Sequence, residues 1–155
     1  MAKKARADQA RFAPLTNPLD SLLGYQLRRA SQAMLEDLVR TLEDLELRPT
    51  TASILLLVAV NPGVTQSRIG QFLAIERANM VPMTAKLVRQ GLLTRAPADG
   101  RSHGLNLTDE GKKVAASIRK RIAAHEMPFW KGVSASERIA LLKFLKSLWA
   151  TAEVR

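Results

Sequence analysis

The sequence contains no cysteine. Disulfides, thiolate zinc sites and cysteine-based peroxide sensing are therefore all excluded. No apolar run approaches the roughly 18 residues that a membrane-spanning helix needs, and no apolar signal segment follows the basic N-terminus. We therefore expect a cytoplasmic protein with no membrane partner.

Residues suited to catalysis are scarce. The two histidines, His103 and His125, have no cysteine, serine or carboxylate partner at a recognisable catalytic spacing. The sequence also shows no glycine-rich phosphate loop and no cluster of metal ligands. It therefore predicts no enzyme, no catalytic residue, no metal site and no cofactor.

Positive charge is abundant. The 155 residues are 46% hydrophobic, which is enough for a core, and carry a formal net charge of +10. Such a charge favours a polyanionic partner, because neutralising phosphates releases condensed counterions. Nucleic acid is the first candidate, although charge alone leaves open a merely basic protein.

Two helices are predicted before the centre of the chain. Apolar residues spaced three and four apart indicate a long amphipathic helix from Leu19 to Leu45. Residues 54–60 are apolar throughout and follow Thr50, a plausible N-cap, so they predict a buried helix that ends at 61–63. A buried strand is the alternative for this run.

The centre of the chain predicts two more helices and a hairpin. Thr65 is expected to cap a short helix over 66–73, and the next helix runs from Arg77 to Gln90 before Gly91. Two short strands, 92–95 and 104–107, flank a turn at Asp99-Gly100. Two helices followed by a hairpin, or wing, form a winged helix-turn-helix, which is a DNA-binding arrangement.

The C-terminal third is predicted to be helical. Thr108 caps a helix with Asp109 and Glu110 in its first turn, Pro128 interrupts the chain, and Ser134 to Glu137 forms a capping box. The last helix carries an apolar face made of Ile139, Leu142, Leu145, Leu148 and Trp149. Pairing with a second copy would bury these terminal faces, which predicts a homodimer; the alternative is that they fold back on their own domain.

The predicted fold is mainly α with a small β-hairpin. Its parts are a flexible basic arm at 1–17, an N-terminal dimerisation helix at 18–47, a winged helix-turn-helix DNA-binding domain at 48–111, and C-terminal dimerisation helices at 112–155.

Several short motifs in a fixed order resemble the MarR (multiple antibiotic resistance regulator) family. They are Leu47 to Thr50, Val64 to Gly70, Ile75 to Arg77, Gly91 to Leu93, Asp99 to Arg101 and Leu107 to Gly111. The resemblance covers about residues 19–150. It implies a helical homodimer that reads a palindromic operator in double-stranded DNA. It also implies a small aromatic or anionic effector that binds between the dimer helices and the DNA-binding lobe and releases the DNA.

The resemblance assigns DNA contacts to the second helix of the motif, which fits the major groove. The assigned residues are Arg77, Ala78, Asn79, Met80, Thr84 and Lys86, with Val81 as an alternative to Met80 for a thymine methyl. Arginine suits guanine or phosphate, and asparagine suits adenine. Packing is the alternative role for at least two of Met80, Val81 and Met83.

Pro82 departs from the family pattern, because a proline at the sixth helical position removes an amide donor. One interpretation is that this helix begins late, with Asn79 as its N-cap and Pro82 in its first turn. That start would change which side chains reach the bases.

Further contacts are expected on both sides of this helix. Ser67 and Arg68 begin the preceding helix and are expected to hold phosphates. Arg101 and His103 belong to the wing, which is shorter than is usual in the family. Arg101 either enters the minor groove or contacts the backbone, and Asp99 is expected to orient it.

For the effector, the segment 76–82 and the short wing look like a branch that includes repressors of aromatic-acid catabolism, some responsive to hydroxycinnamoyl-coenzyme A thioesters. Tyr25 with Arg28 and Arg29 could hold a phenol and an anionic group; solvated arginines beside a core tyrosine are the alternative. The predicted function is a ligand-responsive regulator that acts as a repressor. A constitutive or architectural DNA-binding protein without an effector is the alternative.

Overall fold

A computed structural model describes residues 15–97 and 103–152. The chain divides into two compact units, with the boundary between Glu36 and Asp37. The elements in order are α1 (Leu23–Thr41), a 3₁₀ helix (Glu43–Leu45), α2 (Pro49–Val60), β1 (Val64–Thr65), α3 (Gln66–Phe72), α4 (Arg77–Arg89), β2 (Leu93–Pro97), β3 (His103–Leu107), α5 (Asp109–Glu126), a second 3₁₀ helix (Met127–Trp130) and α6 (Ala135–Ala152). The mainly helical fold with a small β-hairpin is confirmed.

Helix α1 is shorter than the sequence predicts at both ends. At its start, the Asn17 side chain accepts a hydrogen bond from the Leu19 amide at 3.0 Å, so the chain turns before the helix begins at Leu23. At its end, the helix gives way to the 3₁₀ turn, and Glu46 adopts a left-handed conformation with φ of 54°. The predicted continuous helix from Leu19 to Leu45 is therefore wrong at its termini.

Helix α2 begins at Pro49, two residues before the start that a Thr50 N-cap predicts. Arg48 is the N-cap and Pro49 occupies the first helical position, where its missing amide costs no helix hydrogen bond. The Thr51 hydroxyl oxygen accepts from the Arg48 amide at 3.0 Å. Thr50 is therefore not the N-cap, but residues 54–60 are helical as predicted, and the strand alternative is wrong.

The sheet has three antiparallel strands in the order β1-β3-β2. The predicted hairpin is confirmed, with Leu93 opposite Leu107 and Pro97 opposite His103. Strand β1 was not predicted, because two residues are too few to show an alternating pattern. A Cβ at Gly104 would lie 2.5 Å from the Gly63 carbonyl oxygen, so the pairing of β1 with β3 requires a glycine there.

Helix α5 is anchored against the turn that follows α4. Thr108 is its N-cap and accepts from the Gly111 amide at 2.9 Å, while the Thr108 hydroxyl donates to the Gly91 carbonyl at 2.6 Å. A Cβ at Gly111 would lie 2.0 Å from the Leu92 carbonyl oxygen. Glycine in the first turn of α5 is therefore a condition for this close approach.

One apolar core lies in the unit that begins at Asp37. It is formed by residues of α2, α3, α4, the sheet, α5, the turn before β2 and the segment between α1 and α2, namely Leu42, Leu47, Ala52, Ile54, Leu55, Val58, Ile69, Met80, Leu87, Leu92, Leu93, Leu105 and Ile118. Because both helices of the helix-turn-helix and both strands of the hairpin contribute to it, their mutual arrangement is fixed by packing within one chain.

Helix α6 begins at the predicted capping box. The Glu137 carboxylate accepts from the Ser134 amide at 2.8 Å, and the Ser134 hydroxyl oxygen accepts from the Glu137 amide at 3.3 Å. Several large apolar side chains of α6 are exposed in the single chain: Ile139, Leu141, Leu142, Phe144 and Trp149. Among the described helices, none has the length and apolarity required to cross a membrane.

Candidate nucleic-acid interface

Helices α3 and α4 form a compact helix-turn-helix. Thr65 caps α3, as predicted, by accepting from the Arg68 amide at 3.4 Å. The Ile75 amide then donates to the Gly70 carbonyl at 2.8 Å, and Ala74 has a left-handed φ of 51°. This is a Schellman ending, in which alanine occupies the position that glycine usually takes.

Two contacts hold α4 against α3. Gly70 permits the close approach, since a Cβ there would lie 3.0 Å from Met80 Cγ and 3.1 Å from the Ile75 carbonyl oxygen. The Thr84 hydroxyl donates to Gln66 Oε1 at 2.7 Å, inside the packed interface. The orientation of α4 is therefore set by both apolar packing and a partly buried hydrogen bond.

Two residues that the sequence analysis assigned to DNA contact are buried by this packing. Met80 is 1% exposed and Thr84 is fully buried, so neither side chain reaches the surface that a duplex would approach. Their roles are to pack α4 onto the core and to join α4 to α3. The alternative of packing for two of the three apolar residues is confirmed, because Met80 is in the core and Met83 packs against it, whereas Val81 is 46% exposed.

The outward face of α4 begins at its first residue. The helix starts at Arg77 after Glu76 as N-cap, and the Asn79 amide donates to the Glu76 carbonyl at 3.0 Å. The late start with Asn79 as N-cap is therefore wrong, and Pro82 lies inside the helix. The missing Pro82 amide leaves the Ala78 carbonyl without its helical donor, and the exposure of both residues lets water replace that donor.

The outward face includes residues that the sequence analysis did not assign to the site. Beside Arg77, Ala78, Asn79 and Lys86, the exposed side chains of α4 are Val81, Pro82 and Arg89. The signal that could have identified them is the spacing of four and three between Met80, Thr84 and Leu87, which marks the buried side of the helix. Arg95 on β2 is a further exposed cation, in the first strand of the wing.

The flanking residues of the site are also exposed. Ser67 and Arg68 lie in the first turn of α3, and His103 begins β3 opposite Pro97, at the end of the wing strands that is next to the turn. Lys86 Nζ lies 3.5 Å from the Glu46 carbonyl oxygen, so Lys86 extends toward the segment before α2. Asp99 and Arg101 lie outside the described residues, and the roles assigned to them remain predictions.

The predicted effector residues lie in the N-terminal unit. The Arg28 guanidinium carbon is 5.7 Å from the centroid of the Tyr25 ring, a cation–π geometry. Tyr25 is partly buried, whereas Arg28 and Arg29 are exposed. The structure thus brings Tyr25 and Arg28 together and leaves both guanidinium groups accessible.

Two carboxylates that precede α2 in the chain, those of Asp37 and Asp44, bind side chains of helix α5. Arg121 forms a bidentate ion pair with Asp44, both contacts being 2.7 Å, and also donates to the Thr41 carbonyl at 3.0 Å. One turn later, His125 Nδ1 lies 2.8 Å from Asp37 Oδ2. This hydrogen bond, together with one from Arg40, lowers the pKa of Asp37 below its ordinary value.

Comparison with known proteins identifies the same region. The MarR family profile matches residues 45–102, which include the helix-turn-helix and the start of the wing. A relative from Thauera aromatica, assigned as the transcriptional regulator of the hcr operon, is 30% identical over 130 residues. That match covers 82% of this chain and 78% of the relative.

Two solved structures of the transcriptional repressor CouR are similar over nearly their whole length. One, bound to a 23-mer DNA duplex, has a TM-score of 0.81 and 37% identity, and the match covers 88% of this chain and 99% of that one. The other, bound to p-coumaroyl-CoA, has a TM-score of 0.76 and 34% identity, with 88% and 97% covered.

Proposed function

Because the chain belongs to the MarR family of transcriptional regulators, we propose that it is a ligand-responsive repressor that binds a palindromic operator as a homodimer. An aromatic acyl-coenzyme A thioester is the proposed effector that releases the DNA. Such a protein acts on chromosomal DNA in the cytoplasm.

The observation that carries this proposal is the division of α4 into two faces. Its inward stripe is buried against α3 and the core, so the helix is held rigidly with Arg77, Ala78 and Asn79 exposed at its N-terminal end. A rigid helix with exposed polar groups at its N-terminal end suits base recognition in the major groove. The net charge of +10 adds general attraction to phosphates.

The proposed DNA contacts follow from that placement. Arg77 and Asn79 read bases, Ser67 and Arg68 hold phosphates, and Ala78 allows close approach to the groove. Arg101 and His103 in the wing, together with Lys86, supply additional contacts. A dimer would place two such surfaces about 34 Å apart, one turn of the duplex.

The homodimer and the effector are supported by the rest of the chain and by its relatives. The exposed apolar side chains of α6 need a partner surface, and the same face of a second copy is the proposed one. CouR has been solved with DNA and with p-coumaroyl-CoA. In this chain Tyr25 is proposed to contact the aromatic part of the effector, and Arg28 and Arg29 its phosphates.

The decisive experiment is a DNA-shift titration on the promoter region upstream of the gene, repeated with p-coumaroyl-CoA. We expect a shifted complex that the thioester dissolves, while free p-coumarate and free coenzyme A at equal concentration do not. Asn79→Ala should weaken operator binding by about tenfold, the cost of one bidentate base contact. A complex unaffected by the thioester and by other aromatic acyl thioesters would instead favour the constitutive DNA-binding protein.

The effector residues are tested separately from the DNA surface. Arg29→Gln should raise the p-coumaroyl-CoA concentration needed for release and leave operator affinity without effector unchanged. Lys120→Gln removes the same charge from an exposed position of α5 and is the matched control. Equal effects of the two substitutions would argue against a specific phosphate contact at Arg29.

A further inference from the structure

A small cleft opens between the end of α2 and helix α3, on a part of the surface that the proposed function does not use for an effector. Its volume is about 250 Å³. After α2 the chain turns at residues 61–63 and enters β1, which leads directly into α3. The cleft is lined by Leu57, Asn61, Val64, Arg68, Ile69 and Phe72.

The walls of the cleft are apolar and partly uncovered. Ile69 is buried at 2% exposure, whereas Phe72 is 74% exposed, an unusual state for a phenylalanine. An apolar ligand body in the cleft would cover surface that water now contacts, which is favourable.

The polar side of the cleft is cationic. Arg68 and Phe72 are four residues apart on α3 and therefore project from the same face. The Asn61 amide already donates to the Leu57 carbonyl at 2.9 Å. Arg68 has no carboxylate partner among the described ion pairs of residues 15–97 and 103–152, so its guanidinium is available to an external anion.

We propose that this cleft binds a small monocarboxylate with an apolar body of about one ring or six carbons, the carboxylate pairing with Arg68 and the body covering Leu57, Val64 and Phe72. The cleft is smaller than the pockets of about 300–1,000 Å³ that hold drug-sized ligands, which favours a ligand of this size. Arg68 is the one cationic side chain among the residues that line the cleft, so the proposed ligand has one carboxylate. Arg68 is also a proposed phosphate contact, so the test is made without DNA and is independent of the proposed function.

The experiment is a methyl-resolved NMR titration of the full-length protein with two probes, hexanoate and benzoate. We expect saturable shifts of the Leu57, Val64 and Ile69 methyl groups with at least one probe. The relative affinity of the two probes reports whether the body is aliphatic or aromatic. Absence of saturable shifts at these methyl groups with both probes would overturn the proposal.

Two controls test the role of charge. Arg68→Gln should weaken binding about tenfold, whereas Arg89→Gln, the same change on the exposed end of α4, should leave it within twofold. The neutral analogues hexanamide and benzamide should bind about tenfold more weakly than the acids. Equal effects of the two substitutions, or equal binding of acids and amides, would overturn a site defined by Arg68.

Discussion

Helices α4 and α6 both carry apolar side chains, but α4 buries its inward face within the chain whereas α6 leaves large apolar side chains exposed. In α4 the residues Met80, Thr84 and Leu87 are at most 1% exposed, because α3 and the core cover them. In α6, Ile139 and Trp149 are 68% and 58% exposed. The winged region is therefore complete within one chain, whereas α6 presents a surface that still needs a partner.

A DNA-binding dimer has two requirements, the geometry of each DNA-contacting surface and the spacing between the two surfaces, and different parts of this chain meet them. The geometry of the reading surface depends on contacts inside one chain, such as the hydrogen bond from Thr84 to Gln66. The spacing of two reading surfaces depends on the association of chains. Substitutions in the winged region should therefore change the structure of the single chain, whereas substitutions in α6 should change the association of chains. Both expectations can be tested.

The largest effect is expected from the face of α6. Replacing Ile139 and Phe144 together by Glu places two charges on the exposed apolar surface, so the dimer should dissociate. Loss of the linked second site should weaken operator binding by about a hundredfold or more. Sedimentation equilibrium and a DNA-shift titration on the same preparation measure both quantities.

Lys143→Glu is the matched control for that experiment, since it introduces a negative charge at an exposed polar position of α6. It should leave the oligomeric state unchanged. If the double variant remained a dimer with unchanged affinity, α6 would not form the subunit interface.

The second effect concerns the junction between the wing and α5. Gly111→Ala would place a Cβ 2.0 Å from the Leu92 carbonyl oxygen, which is backbone and cannot rotate away. We expect the free energy of unfolding to fall by about 2 kcal/mol, measured by urea denaturation. Gly24→Ala, where no atom lies within 4 Å of the new Cβ, should leave stability unchanged or slightly higher. Equal stability of the two variants would contradict the close approach.

The sequence predicted the elements of the winged region well, because each has a local signal. Thr65 and Thr108 cap their helices as expected, and Gly91 ends α4 with a positive φ of 71°. These signals depend on residues a few positions apart and are readable without the fold. The capping box at Ser134 belongs to the same class.

What the sequence could not supply was the direction in which each side chain points. Met80 and Thr84 matched the family's reading helix by position, but packing against Gly70 and Gln66 turns them inward. Pro82 suggested a late helix start, whereas contacts of α4 with its neighbours hold a regular start at Arg77. Strand β1 exists only through pairing with β3, which is a contact between distant residues. Such outcomes are decided by tertiary packing rather than by local preference.

A third effect separates the inward and outward faces of α4. Thr84→Val keeps the shape of the side chain but removes the hydroxyl that donates to Gln66, so stability should fall by about 1 kcal/mol. The ratio of operator to nonspecific DNA affinity should not change. Asn79→Ala should show the reverse, with unchanged stability and reduced operator affinity. If Thr84→Val instead lowered operator affinity selectively, Thr84 would contact DNA despite its burial.

The smallest effect concerns the polar contacts that join α5 to the chain before α2. Hydrogen bonds from His125 and Arg40 lower the pKa of Asp37 from its ordinary value of 3.8, so the folded chain binds this proton less readily than the unfolded chain. The resulting stabilisation is complete above that ordinary value and is lost as pH falls through the lowered pKa of the folded state. Asp37→Asn should therefore flatten the decline in urea midpoint below pH 4.

Glu43→Gln is the control for this measurement, since it neutralises an exposed carboxylate in the 3₁₀ turn of the same segment. A decline that runs parallel in the wild-type protein and in Asp37→Asn would show that the contact with His125 does not contribute to acid sensitivity. A flattened decline in Asp37→Asn but not in Glu43→Gln would locate part of that sensitivity in the junction between α5 and α1.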